Sequence, residues 1–140
     1  MIAALLAVCL AYWPCGAHGL GVLPVDGRVA VIDTVGVREK EAYREWNACG
    51  GLQFSTENDL TPYTPGTITI VPAKGGLPRG GISDGHGVVF LPPGGWTRAI
   101  PTVRHELGHA VGFNHTQRPS VMGSDNRVHP VDCEGLRRSY

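Results

Sequence analysis

The sequence predicts an α+β fold in which a small twisted sheet packs against helices. Three segments have the β-branched composition of strands, at residues 27–33, 66–73 and 87–93. Two others place apolar residues at helical spacing, within residues 37–51 and 96–111. The chain has 140 residues, which is enough for one domain with its own core. Its 20 glycines and 11 prolines predict turn-rich connections between these elements.

The predicted strands are bounded by residues that break regular structure. Residues 27–33 (GRVAVID) and 66–73 (GTITIVPA) alternate β-branched side chains. Residues 53–54 are expected to form a short strand, and the glycine-rich residues 76–87 to form a loop. Residues 87–93 (GVVFLPP) end in two prolines, which cannot donate hydrogen bonds inside a central ladder. We therefore expect this last strand at the edge of the sheet.

The first predicted helix covers residues 37–51 (VREKEAYREWNACGG). Ala42, Trp46 and Cys49 recur at helical spacing, and charged residues fill the other faces. The two glycines at the end of the segment are expected to stop the helix.

The second predicted helix lies within residues 96–111. Pro101 is tolerated only in the first turn of a helix, so the helix should begin between Thr97 and Pro101. Gly108 is costly in a helix interior, which indicates that another element packs closely there. The residues expected to face the core form one apolar stripe: Val103, Leu107, Ala110 and Val111.

The sequence HELGHAVGFNH, residues 105–115, predicts a metal site. His105 and His109 are four residues apart, so a helix places both imidazoles on one face. Glu106 lies beside them, where its carboxylate can take a proton from a metal-bound water. Gly112 can adopt the left-handed conformation that ends a helix, and the turn would bring His115 round as a third ligand. Three imidazoles with one open position describe a catalytic zinc site rather than a structural one.

A plainer interpretation places these histidines on the surface of an ordinary amphipathic helix. Five positions of the motif must agree together. At about one in 20 each, a chain of this length matches by accident on the order of once in 10⁴ to 10⁵. The shorter HExxH pattern alone would be much weaker evidence, so the full pattern favours the metal site.

The motif resembles the signature of the metzincin clan of zinc endopeptidases. Met122, in PSVMGS, follows His115 by seven residues and is similar to the downstream methionine turn of that clan. Within the clan, the chain most resembles matrixin-like catalytic domains. Their last helix is similar to HPVDCEGLRRSY here, with its Asp132, Gly135, Leu136 and Tyr140. The specific part of the resemblance covers residues 103–140.

The resemblance implies both a fold and a function. The fold is a mixed sheet with an antiparallel edge strand, packed on two long helices and a C-terminal helix. The function is hydrolysis of internal peptide bonds, with zinc held by His105, His109 and His115 and with Glu106 as the general base. A peptide substrate would lie extended along the edge strand.

The resemblance also suggests roles for two residues downstream of the motif. Met122 would form the floor beneath the histidines, although a plain core methionine is the simpler interpretation. Asp132 would brace the methionine turn from the last helix, or would simply be a helix N-terminal carboxylate favoured by the dipole.

Two residues depart from the family pattern. Thr116 follows the third histidine, where matrixins commonly have serine, so the subfamily stays open. Ser124 stands where some metzincins carry a tyrosine beside the zinc, which disfavours the astacin-like and serralysin-like branches.

A second metal is only weakly indicated. Asp84 could help to bind calcium, but a single carboxylate in a glycine-rich loop is slight evidence. His86 stands where matrixins often carry a structural metal loop, yet the other ligands are not recognisable. We therefore interpret His86 as a loop or cleft-rim histidine.

The N-terminal sequence predicts export. Residues 1–13 form an uncharged apolar run, followed by Pro14 and small residues, with plausible cleavage after Ala17 or Gly19. We accordingly divide the chain into a signal peptide at residues 1–19 and a catalytic domain at residues 20–140. An uncleaved anchor is the alternative, because no Lys or Arg precedes the apolar run.

The four cysteines leave one pair for the mature domain. Cys9 and Cys15 would be removed with the signal peptide. Cys49 and Cys133 would then form a disulfide between the first helix and the last one in an oxidising compartment. Two buried free cysteines are the alternative.

Charge gives no sign of a nucleic-acid partner or of stable membrane association. The 12 basic and 12 acidic residues cancel, and no basic run stands out. Two other functions stay open: a non-catalytic binding module with the metzincin fold, and a zinc hydrolase of peptide ends or cell-wall peptides. The hydrolase would need a cation near the cleft to hold a free terminus, and the candidates are Arg98, Arg104 and Arg118.

Overall fold

The computed structural model describes residues 21–73, 82–84, 87–93, 98–116, 119–123 and 125–139. It confirms the predicted α+β class, with three helices. The elements in chain order are β1 (Arg28–Asp33), α1 (Glu39–Ala48), β2 (Gln53–Thr56), β3 (Ile68–Pro72), β4 (Ile82–Ser83), β5 (Val88–Leu91), α2 (Ile100–Ala110) and α3 (Pro130–Ser139). The predicted signal peptide and most of the glycine-rich loop lie outside the described residues.

Four strands form a parallel sheet in the order β2-β1-β3-β5. This parallel row ends with β2 on one side and with β5 on the other. The two-residue β4 pairs with the outer side of β5 in the antiparallel direction. The expectation that residues 87–93 form the edge of the sheet is therefore wrong, because β4 lies outside β5. Residues 87–93 contribute a strand that runs parallel to β3, and the antiparallel pairing is confined to Ile82 and Ser83. Parallel pairing requires crossover connections, and α1 supplies the one between β1 and β2.

Strand β3 is the most completely buried of the four parallel strands. Residues 68–71 of β3 are all buried, as expected of an inner strand in a parallel sheet. β5 stops at Leu91, directly before the two prolines that were expected to end it.

Helix α2 is held against α1 by one large aromatic residue. Trp46 is fully buried, and its ring stacks on Phe113 with centroids 5.1 Å apart. Its indole N–H donates to the backbone oxygen of Arg104 at 3.0 Å. α2 begins at Ile100 with Pro101 in its first turn, inside the predicted range. All four residues of the predicted apolar stripe are buried: Val103, Leu107, Ala110 and Val111.

Helix α3 is joined to the end of α1 by the predicted disulfide. Cys49 and Cys133 are bonded, with Cα atoms 4.9 Å apart and a sequence separation of 84. By the chain-entropy model, closing a loop of this size stabilises a fold by about 4.5 kcal/mol. Leu136 adds a fully buried side chain on the same helix. None of the helices described is long and apolar enough to cross a membrane.

A buried carboxyl group lies at the start of α1. Glu39 is buried, accepts a hydrogen bond from the Thr56 hydroxyl at 3.0 Å, and shares another with the Asp33 side chain. Burial raises the pKa of Glu39, and the hydrogen bond and negative charge of Asp33 raise this pKa further. At pH values between the ordinary glutamate pKa and the raised one, Glu39 therefore keeps its proton in the folded chain and loses it in the unfolded chain. Stability falls as pH rises from the ordinary glutamate pKa through the raised one.

Replacing Glu39 by glutamine should make the protein more stable at pH 8. Glutamine keeps an acceptor for Thr56 and removes the buried charge, so its advantage should shrink as pH falls towards about 4 and the wild-type carboxyl becomes protonated. Urea unfolding across this pH range measures the difference. Glu57→Gln, at an exposed position, serves as the control. A Glu39→Gln variant less stable than wild type at pH 8 would contradict the argument.

Candidate metal centre

Three histidine side chains converge beside the C-terminal end of α2. The Nε2 atom of His115 lies 3.1 Å from Nε2 of His105 and 3.0 Å from Nε2 of His109. The three rings are close enough to hold a metal ion. Within the described part of the chain, no other group of three or more His, Cys, Asp or Glu side chains meets that condition. The predicted ligands are thus brought together.

The turn after α2 brings the third histidine back to the other two. Gly112 has a φ of +107°, and its N–H donates to the His109 carbonyl at 3.0 Å. The next N–H, from Phe113, donates to the Gly108 carbonyl at 3.0 Å. These bonds satisfy carbonyl groups that the helix end would otherwise leave open. The predicted left-handed turn at Gly112 is therefore present.

Backbone carbonyls fix the orientation of two of the rings. The Nδ1 atom of His105 lies 2.8 Å from the Val121 oxygen, and Nδ1 of His109 lies 2.6 Å from the Phe113 oxygen. A carbonyl oxygen only accepts hydrogen bonds, so each Nδ1 carries the proton and each Nε2 presents a lone pair to the centre. His115 can donate one Nε2–H to only one of these lone pairs. A cation at the centre satisfies all three nitrogens.

Burial favours the form of histidine that metals bind. It lowers the pKa of His105, and this effect is opposed by the hydrogen bond to the Val121 carbonyl and assisted by the neighbouring His115. The neutral imidazole is the ligand form.

Glu106 is a buried carboxyl group with an unused oxygen. Its exposed fraction is 5%, and the Ser83 backbone N–H donates to the carboxylate. Its Oε2 atom is buried, with no hydrogen-bond partner in the described part of the chain. Burial raises the pKa of Glu106 to about 7, against the opposing effect of the Ser83 hydrogen bond. The Ser83 bond also joins β4, at the sheet edge, to the motif glutamate.

Met122 packs directly beneath the motif helix. Its side chain is 1% exposed, and its Sδ atom lies 2.4 Å from the position that a Cβ would take on Gly108. Cζ2 of Trp46 lies 3.0 Å from the same position. The close packing that the sequence predicted at Gly108 is present.

Gly108→Ala should therefore destabilise the fold by about 1–3 kcal/mol, because the added methyl overpacks the contact with Met122. A loss of stability would identify the steric contact as its cause, because helix propensity alone favours alanine over glycine by about 1 kcal/mol. Denaturant unfolding gives the value. A Gly108→Ala/Met122→Ala double variant should lose less than the sum of the two single changes, because the smaller side chain makes room for the methyl. An alanine variant as stable as wild type would show that the contact is not tight.

Asp132 connects α3 to the turn that carries Met122. Its fully buried carboxylate accepts hydrogen bonds from the Ser120 hydroxyl and from the Val121 and His129 backbone N–H groups. The His129 bond closes the start of α3 in the manner of a capping box. The two interpretations of Asp132 are compatible, because one carboxylate braces the turn and caps the helix. The carbonyl of Val121, in the same turn, orients His105.

The contacts that Arg104 makes with residues distant in sequence were not predicted from the sequence. Its Nε donates to the Ala42 carbonyl at 3.1 Å and lies 3.2 Å from a Glu45 oxygen, and Nη1 donates to the Asn126 carbonyl at 2.6 Å. Arg98, the other described candidate for holding a peptide terminus, donates to the carbonyls of Leu91 and Pro92.

The weaker candidates gain little support. Asp84 Oδ1 accepts a hydrogen bond from the Val88 N–H at 2.9 Å, and Asp84 belongs to no group of metal ligands within the described ranges. His86, Arg118, Ser124 and Tyr140 lie outside the described residues.

No protein-family model matches this chain, and no curated protein matches it.

Proposed function

We propose that this chain is a zinc-dependent endopeptidase of the metzincin, matrixin-like type. The observation that carries the proposal is the convergence of three histidine Nε2 atoms. It is accompanied by Glu106, which follows His105 in sequence and has a buried oxygen with no hydrogen-bond partner among the described residues. Structural zinc sites normally have four protein ligands, whereas catalytic ones have three and leave a position open. A set of three imidazoles with an adjacent proton acceptor fits a hydrolase.

Zinc suits this set of donors. A tetrahedral ion with Zn–N bonds of about 2.0–2.1 Å separates two ligand nitrogens by about 3.3 Å. The separations of 3.0 and 3.1 Å between the histidine Nε2 atoms are close to that value. When bound, zinc supplies Lewis acidity, which polarises a peptide carbonyl and makes a water acidic enough to act as a nucleophile near neutral pH.

Glu106 would act as the general base in this reaction and then as the general acid. Its Oε2 atom has no competing donor among the described residues, so it is free to accept a proton from the attacking water and pass it to the leaving amine. The Ser83 N–H holds the carboxylate in place and ties it to β4. We propose that an extended peptide or protein substrate pairs with this edge of the sheet, as an edge strand does in metzincins.

We propose that the protein acts outside the cytoplasm, with no stable membrane association after processing. The Cys49–Cys133 disulfide fits an extracytoplasmic location. The apolar run at residues 1–13 supports export by a signal peptide.

The two other functions are less favoured by specific contacts. A non-catalytic binding module would have no use for Glu106, whose buried and partly unsatisfied carboxyl group costs stability. A hydrolase of peptide ends or cell-wall peptides needs a free cation, and Arg104 is already engaged by Glu45 and two carbonyls.

Metal content and proteolysis test the proposal together. The purified protein should contain one zinc per chain by elemental mass spectrometry and should cut unfolded casein at internal bonds. A chelator should abolish cleavage, and added zinc should restore it. Zinc without cleavage would favour the binding module, release of terminal residues only would favour the peptide-end hydrolase, and absence of zinc would overturn the metal site.

Glu106→Gln should keep zinc and lose at least about 100-fold in turnover, because the amide cannot accept the proton. Zinc content and casein cleavage are measured on the same preparation. Glu57→Gln changes an exposed glutamate that bonds to Ser55, and it should behave as wild type. Wild-type turnover by Glu106→Gln would remove this residue from the mechanism.

A further inference from the structure

A pair of residues in the segment that precedes β1 packs against the end of the motif helix. We call Gly21 and Val22 the N-terminal strap. The Val22 N–H donates to the carbonyl of Ala110, the last residue of α2, at 2.8 Å. A Cβ on Gly21 would lie 2.2 Å from the carbonyl carbon of Val111 and 2.4 Å from the nitrogen of Gly112. The strap thus touches the backbone at which α2 ends.

Gly21 is glycine for space and not for backbone conformation. Gly27 and Gly66 have a positive φ, and a Cβ on either of them would meet no atom within 4 Å. Gly21 is the opposite case, because its φ lies outside the positive range that disfavours a side chain. An L-residue can therefore adopt the backbone angle φ of Gly21. Only the contact with Val111 and Gly112 forbids a side chain there, because real Cβ atoms do not approach other atoms so closely.

The strap is fixed on its other side by the sheet. The Val22 side chain is 6% exposed, and its Cγ2 atom lies 3.1 Å from the position of a Cβ on Gly87, just before β5. Three residues later, Val25 and Arg28 exchange two backbone hydrogen bonds at the start of β1. A side chain at position 21 would therefore press on the turn after α2 while the strap is held in place.

That turn controls two of the three histidines. Gly112 reverses the chain, Phe113 supplies the carbonyl that orients His109, and His115 follows two residues later. A displacement at Gly112 would reach both the ring orientation of His109 and the position of His115.

We propose that Gly21 is a positioning residue of the metal centre. By packing without a side chain against Val111 and Gly112, it lets the strap close the end of α2 and hold the turn in the geometry that presents His115. The inference depends on the proposed metal-binding function, and it assigns to the segment before β1 a part in metal affinity.

Gly21→Ala in the full-length protein tests the proposal. Zinc affinity is measured by competition with a chromophoric chelator, and ligand geometry by the visible absorption of the cobalt(II)-loaded protein. We expect the dissociation constant for zinc to rise about 10- to 100-fold, as it does when a group that orients a metal ligand is lost, and the cobalt spectrum to change. Gly66→Ala is the matched control, because its positive φ strains an alanine while the added methyl meets no atom. It should keep both wild-type values.

The outcomes separate this inference from the proposed function. If wild type binds no zinc, both fail. If wild type binds zinc and Gly21→Ala keeps its affinity and spectrum, only the strap proposal is overturned. Equal weakening in Gly66→Ala would also overturn it, since general destabilisation would then suffice. Should Gly21→Ala not fold, Val22→Ala decides: it keeps the backbone donor and removes the side-chain anchor, and an unchanged zinc dissociation constant in it overturns the proposal.

Discussion

The Nε2 atoms of the three motif histidines face one point, and there is not a proton for each of them. The rest of the structure has to hold the rings in this arrangement. Lone pairs of His105 and His109 point at the same nitrogen of His115, about 3 Å away. The contact gives little stabilisation by itself, so other parts of the fold must hold the rings there. Two backbone carbonyls do so directly, from Val121 and Phe113.

Each carbonyl is in turn held by a different part of the chain. Phe113 stacks on Trp46, whose indole N–H reaches the backbone of α2. Val121 lies in a turn fixed by the buried carboxylate of Asp132, at the start of α3. The next residue, Cys133, is bonded to Cys49 at the end of α1. The candidate metal centre is thus supported by hydrogen bonds to residues that are themselves held by the aromatic core and by the Cys49–Cys133 disulfide.

Local patterns predicted well what depends on neighbours in sequence. The start of α2, its buried stripe, the turn at Gly112 and the close packing at Gly108 all follow from spacing or from the properties of glycine and proline. The disulfide followed from counting cysteines. Sheet direction was harder, because buried parallel strands usually have continuous apolar sequences, whereas Thr69 gives the buried strand β3 an alternating one. The two-residue β4 was missed since so short a pairing, in a glycine-rich sequence, has no periodicity. Partners that are distant in sequence left no signal at all: nothing in either helix shows that Glu45 and Arg104 meet, and the bond from Ser83 to Glu106 first needs the sheet edge and the motif helix to be adjacent.

The candidate metal centre contains groups that lower the stability of the fold. A carboxyl group buried with an unused oxygen and a set of facing lone pairs are both costly in a protein that only has to fold. Elsewhere in the described chain, buried side-chain polar atoms have hydrogen-bond partners, so the exception coincides with the motif. A cation at the three histidines would relieve part of this cost, and whatever binds the folded state alone also stabilises it. The local conflict is therefore better explained by a ligand that the site is built to hold than by imperfect packing.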